Sequence, residues 1–252
     1  MVYHRELSNH DNLPSLRLFL CGGATVPEKL IEDARKALPH TFVTPLWGMT
    51  ECGGVPTCPY DAPAEKILTT DGSPCGAMEL KIVDPSGQSV GPGDSGELMA
   101  RGPMCALGYY ERLALTEEAF LPDGYFRTGD QAFMDEDGYI KITGRIKDLV
   151  IRGGINISPV EIENVLYSHP NVVNAAIIGM PDPRLGERIC AFVVFEDGTN
   201  LSLEEVQHWM QRAGVAKPKW PERIVPIREL PMTPSGKIQK FKLREFLDRN
   251  SI

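Results

Sequence analysis

The sequence predicts a mixed architecture, α/β at its start and α+β at its end, and three observations carry that reading. A strand–helix–strand pattern opens the chain, short strands with tight turns fill the middle, and helix-start signals alternate with strands towards the end. The 252 residues suffice for one large or two ordinary domains. A composition of 42% apolar and 24% charged residues excludes general disorder.

Leu16–Leu20 reads as a short apolar strand, followed by the turn Gly22–Gly23–Ala24. Thr25 is the expected N-cap and Pro27 the expected first-turn proline of a helix reaching about Leu38. Thr41–Leu46 is the next strand, ending in the loop Trp47–Gly54. A helix between two strands marks a parallel unit, and ligands gather at the carboxyl ends of such strands. Gly22–Ala24 and Trp47–Glu51 both fall there.

From about Asp71 to Thr143, strands at Glu79–Val83, Gly96–Ala100 and Tyr139–Thr143 alternate with turns at Pro85–Gly87, Gly91–Gly93 and Asp135–Gly138. That spacing predicts a small β-barrel or a distorted sheet. Beyond Gly144–Arg145 the pattern is α+β, with strands at Leu149–Ile151, Val172–Ile178 and Ile189–Phe195. Helices are expected from Ser158, from Ser202 and near Lys242–Asp248. Ser158 with Glu161 and Ser202 with Glu205 each form the capping-box pattern.

A net charge of −8 argues against a nucleic-acid binder driven by overall charge. The charge is unevenly spread: residues 217–252 hold nine basic and four acidic residues. That stretch is either a solvated face or an attractor for a polyanionic small molecule such as a nucleotide or coenzyme A. No apolar run approaches the length of a membrane span. The six cysteines lack any C-x-x-C pair, and the five histidines form no ligand pattern. Neither a zinc site nor a disulfide framework is expected, and the predicted location is cytoplasmic.

Three motif-like stretches fail on context. Gly91–Gly96 matches G-x-G-x-x-G but precedes a strand instead of a helix. Asp135–Gly138 lacks the downstream ligands of a calcium loop. Ser235-Gly236-Lys237 has Pro231 where a phosphate loop needs its first glycine. Four others survive. Trp47-Gly48-Met49-Thr50-Glu51 combines an aromatic face, a hydroxyl and a carboxylate, groups able to stack a base and hold Mg²⁺ near phosphates. Tyr125–Asp130 ends in an acid on an expected tight turn, suited to ribose hydroxyls. Gly144–Asn156 lies at the expected boundary, and Pro231–Lys237 sets one lysine on a loop shaped by proline and glycine. Each of the four, taken singly, also has a structural reading.

In this order the motifs resemble the acyl-adenylate-forming superfamily of acyl-CoA synthetases, nonribosomal-peptide adenylation domains and luciferases. The resemblance runs from about Leu16 to Arg244, through LFLCGGATVP, LWGMTE, SGELMARGPMCALGYY, GYFRTGD, GYIKITGRIKDLVIRGGINISPVEIE, PDPRLGERICAFVV and LPMTPSGKIQKFKLRE. Within the superfamily the chain looks closest to bacterial acyl-CoA synthetases for short- and medium-chain or alicyclic acids, such as cyclohexanecarboxylate–CoA ligases. The implied organisation is an end of an α/β subdomain over 1–70, a β-barrel-like subdomain over 71–144, a hinge at 145–148 and a mobile α+β lid domain over 149–252. The implied reaction has two steps: a carboxylate attacks the α-phosphate of Mg-ATP to give acyl-adenylate and pyrophosphate, then coenzyme A thiol displaces AMP.

The resemblance also implies roles for individual residues. Gly22, Gly23 and Ala24 line the adenine and acyl pocket, and Trp47, with Gly48 and Met49 beside it, stands where the family usually has a tyrosine stacked on adenine. Thr50 touches phosphate and Glu51 binds Mg²⁺. Asp130 and Arg145 hold the ribose hydroxyls, and Asp148 is the hinge. Lys237 neutralises charge at the carboxylate and α-phosphate, while Gly153 and Gly154 border the pantetheine tunnel. In some bacterial members the lysine matched by Lys237 is reversibly acetylated, which implies an acetyltransferase and deacetylase as partners. A homo-oligomer stays open.

The family's phosphate loop, T-S-G-T-T-G-x-P-K-G or similar, occurs nowhere in the sequence. Met1 is therefore expected to be a truncation point, and this chain alone is expected to be weak or inactive in adenylation. Two alternatives stand beside the CoA ligase: an adenylation domain that loads a carrier-protein thiol, and a non-catalytic truncated interaction module.

Overall fold

A computed structural model describes residues 13–24, 26–234 and 236–249. The chain divides into two compact units, residues 1–143 and 144–252.

Unit 1 begins with β1 (Leu18–Gly22), α1 (Glu28–Ala37), β2 (Phe42–Met49) and β3 (Gly53–Thr57). β1 and β2 pair in parallel and β3 returns antiparallel, as the intervening α1 requires. Ile31 and Ala34 of α1 pack with Cys21 and Val43 in one core. Pro27 occupies the N-cap, one place before the first turn where the sequence suggested it, and Thr25 lies outside the described residues. α2 (Ala64–Thr69) follows. A second sheet holds β4 (Glu79–Val83), β5 (Ser95–Arg101), β6 (Phe126–Met134) and β7 (Ile140–Arg145), with α3 (Leu113–Ala119) between β5 and β6. Its order is β4-β5-β6-β7, the sheet alternative instead of the expected barrel. The Gly91–Gly93 and Asp135–Gly138 stretches are turns: β5 starts directly after the first, and Asp135 Oδ1 accepts from the backbone N–H of Asp137 and Tyr139 in the second.

Unit 2 contains β8 (Val150–Arg152), β9 (Ile155–Ile157), α4 (Pro159–Tyr167), β10 (Val172–Asp182), β11 (Gly186–Phe195), α5 (Leu203–Arg212), β12 (Arg223–Pro226) and α6 (Lys240–Arg249). The central pair reads as near-continuous apolar runs because both faces of the sheet are covered. Ala175, Ile177, Ile189, Ala191 and Val193 face a core shared with α4 and α5. Ala176, Ile178, Cys190 and Phe192 face another, closed by Leu243 and Leu247 of α6. The Ser202–Glu205 capping box forms in full. The Ser158–Glu161 box does not: Ser158 is the N-cap without a side-chain cap bond, and the Glu161 carboxylate pairs with Lys219 at 2.8 Å.

Candidate functional site

In unit 1 the motif from Trp47 to Glu51 does not form one loop. β2 continues through Trp47, Gly48 and Met49, and only the turn beyond carries Thr50 and Glu51. The strand extends because β3 pairs back onto it, with Gly48 opposite Gly54. A side chain at Gly48 would lie 2.4 Å from the Gly53 carbonyl oxygen, so this glycine is required by strand packing. The same holds for Gly22, where a side chain would lie 2.3 Å from the Leu46 carbonyl oxygen. Gly23 and Ala24 are exposed beyond the end of β1.

Asp130 also departs from expectation. It lies inside β6 and not on a tight turn, on the same inward face as Phe126, Thr128 and Ala132. The strand looks like a turn in sequence because it is bulged: three residues of β6, Thr128 to Asp130, lie between the partners of Glu97 and Met99, where β5 has only Leu98, and Gly129 within the bulge has φ of +69°. A left-handed position favours glycine there. The Thr128 hydroxyl donates to the Leu98 carbonyl at 2.7 Å and accepts the Asp130 backbone N–H at 3.0 Å. Asp130 is only 3% exposed, and the Trp47 indole N–H donates to its Oδ2 at 2.7 Å. That contact joins two of the four sequence motifs across 83 positions.

Glu51 is half-buried and Thr50 exposed. Glu51 Oε1 accepts the Tyr109 hydroxyl at 3.0 Å, and its backbone carbonyl accepts the Ala106 N–H at 2.8 Å. Burial first, and the neighbouring carboxylate next, push the Tyr109 phenol up. Tyr109 belongs to the GYY string, and no local pattern in the sequence links it to Glu51, 58 positions away. One carboxylate beside one hydroxyl suits Mg²⁺, which takes hard oxygen donors and commonly binds through one or two carboxylates plus substrate phosphates and water. Among the described residues there is no cluster of three or more His, Cys, Asp or Glu able to hold a metal by protein ligands alone.

In unit 2, Arg145 ends β7 and a short 3₁₀ turn over Ile146–Asp148 follows. The Asp148 carboxylate accepts from the Arg244 guanidinium of α6 at 2.9 Å. Gly153 and Gly154 form the exposed turn between β8 and β9, at φ of +58° and +83°. Lys237 is exposed on a backbone-bonded turn. There the Thr233 N–H donates to the Lys237 carbonyl at 2.9 Å, the Lys237 N–H donates to Thr233 Oγ1 at 3.1 Å, and Met232 bridges Ile238.

All six cysteines are free, and four are buried. Burial pushes the Cys52 thiol up to about 12 and the Cys190 thiol up to about 11, which makes both inert at neutral pH. Among the described residues no helix is long and apolar enough to cross a membrane.

With these motifs assembled, the chain belongs to the family of AMP-binding enzymes: residues 1–110 match the AMP-binding enzyme family and residues 161–237 its C-terminal domain. Among curated relatives, it is 43% identical to a medium-chain fatty-acid–CoA ligase of Escherichia coli, over 94% of this chain and 42% of that protein. A salicyl-AMP ligase / salicyl-S-ArCP synthetase of Mycobacterium tuberculosis is 41% identical, over 90% of this chain and 40% of that one. Among solved structures, ATP-bound MatB from Rhodopseudomonas palustris superimposes with a TM-score of 0.90 at 32% identity, covering 98% of this chain and 48% of MatB. The chain thus spans less than half the length of these relatives.

Proposed function

We propose that the chain is part of an AMP-forming acid–thiol ligase whose complete protein activates a short- or medium-chain or alicyclic carboxylic acid. In the first step an acid oxygen bonds to the α-phosphorus of ATP and pyrophosphate leaves. In the second, the coenzyme A sulfur bonds to the acyl carbon, its proton is lost and AMP leaves. The observation that carries this reading is the Trp47–Asp130 hydrogen bond, which brings the two stretches expected to handle adenosine to one place.

On this reading the Trp47 ring stacks on adenine, beside Gly22, Gly23, Ala24, Gly48 and Met49, while Asp130 and Arg145 accept and donate at the ribose hydroxyls. Thr50 and Glu51 hold Mg²⁺-bound phosphates, and the ion, when bound, neutralises phosphate charge. Lys237 supplies a positive charge as negative charge builds on the α-phosphate. Asp148 lies at the hinge about which residues 149–252 reorient between the two steps, bringing Gly153 and Gly154 to the thiol's path. A side chain at Gly154 strains a left-handed turn as well as filling that path, so its effect on thioester formation needs a folding control.

A carrier-protein thiol in place of coenzyme A is the second reading, favoured by the similarity to the salicyl-S-ArCP synthetase. The test is acid-dependent AMP and acyl-CoA formation by the full-length gene product beside this 252-residue chain, with acetate to decanoate, cyclohexanecarboxylate and benzoate. The expected result is activity of the full-length protein and little or none of the chain, which lacks the phosphate loop. Adenylate formation without transfer to coenzyme A moves the weight to the carrier thiol. Inactivity with every acid overturns the ligase reading.

A further inference from the structure

We propose that Tyr109 is a positioning residue for Glu51, fixing its carboxylate before a divalent cation arrives; this rests on the reading of Glu51 as the cation-binding acid. A glutamate side chain loses rotamer freedom when it is ordered, and a partner that orders it in advance removes that cost from ligand binding. Tyr109 is such a partner, because it is itself held from several sides. Its backbone N–H donates to Thr116 Oγ1 of α3 at 2.9 Å. The Thr116 hydroxyl is fixed in turn by the Arg112 carbonyl at 3.0 Å. The approach is close: a side chain on Gly108 would lie 2.5 Å from Thr116 Cγ2. The Tyr109 ring meets Phe120 edge-on at 5.7 Å between centroids, and Phe120 packs on the buried Phe126 at 4.8 Å.

The same segment grips Glu51 twice, through the Ala106 N–H on its backbone carbonyl and through the Tyr109 hydroxyl on Oε1. Two anchors, one on the main chain and one on the side chain, determine where the remaining oxygen, Oε2, points. A hydroxyl serves better than a charged donor here, because it orders the carboxylate without cancelling the negative charge that a cation needs. The residues between β5 and α3 thus act as a brace for the turn that follows β2.

The test uses the full-length gene product carrying Tyr109→Phe, which keeps the ring against Phe120 and removes only the hydroxyl. Binding of Mn²⁺ in the presence of a non-hydrolysable ATP analogue is read from the electron paramagnetic resonance signal of the free ion. Retention is expected to weaken roughly five- to tenfold, with the thermal midpoint unchanged. The Mg²⁺ concentration for half-maximal pyrophosphate release should rise by the same factor, while the rate at saturating Mg²⁺ changes little. Wild-type Mn²⁺ retention in Tyr109→Phe, with retention lost in Glu51→Gln, overturns the brace and leaves Glu51 its role. Wild-type retention in Glu51→Gln overturns both. Should Tyr109→Phe fail to fold, Thr116→Val removes the hydroxyl that holds the Tyr109 backbone and leaves Tyr109 and Glu51 themselves in place; weakened retention then supports the brace and unchanged retention overturns it.

Discussion

In unit 1, Asp130 is buried and takes the Trp47 indole N–H, and Glu51 takes the Tyr109 hydroxyl. In unit 2, Lys237, Gly153 and Gly154 stand exposed on short turns whose order comes from backbone hydrogen bonds, with a two-faced core beneath. The first arrangement fixes acids by side-chain partners before any ligand binds, which suits groups that hold a nucleotide in one geometry. The second leaves the Lys237 side chain and the glycine backbone accessible on firm turns, which on the proposed reading suits groups used in one step and withdrawn in another. On the proposed reading, folding and chemistry are therefore coupled at the unit 1 positions and separable at those of unit 2.

The largest expected effect tests that separability. Lys237→Ala in the full-length protein should lower pyrophosphate release by about 10²–10³-fold, the usual scale for losing one positioned charge stabiliser. Unfolding free energy should move by no more than about 0.5 kcal/mol, as for an exposed surface change. Transfer from preformed acyl-adenylate to thiol should be spared; equal loss in both steps would break the division of labour between the units. Trp47→Phe is the converse case. It keeps an aromatic face and removes the N–H from a buried carboxylate, so denaturant unfolding should show a loss of about 1–3 kcal/mol in unit 1. An unchanged midpoint would mean that Asp130 does not depend on the indole. The smallest effect sharpens the comparison within unit 2. Ser202→Ala should cost about 1 kcal/mol in thermal or denaturant unfolding, and Ser158→Ala less, because only the first removes a closed capping box.

That pair also shows where sequence legibility ends. Both S-x-x-E patterns mark a helix start correctly, since helices do begin at Pro159 and Leu203. The hydrogen bonds differ because Lys219, 58 positions away, competes for Glu161, and nothing local announces that. Strand β4 was legible from its alternation of Leu80 and Ile82 with Glu79 and Lys81. Strand β6 was not, because its bulge puts Gly129 beside Arg127, Thr128 and Asp130 and imitates a turn. Helix α3 escaped because it has no buried residue and so presents no core-facing stripe to read. The motifs of the site were visible as strings, but the Trp47–Asp130 and Tyr109–Glu51 contacts span 83 and 58 positions and exist only in the fold.

The last helix gives unit 2 a particular birth order. Leu243 and Leu247 of α6 close one face of a sheet whose strands β10 and β11 are made earlier, and Arg244 of the same helix reaches back to Asp148. During synthesis, chains emerge from the N-terminus onwards at about 5–20 residues per second. The side of the sheet bearing Phe192 therefore stays open until α6 has emerged and docked. Lys237 lies just ahead of that helix, on a turn that runs directly into it. The nascent protein thus acquires a settled frame for this lysine only after nearly everything else in the unit is in place.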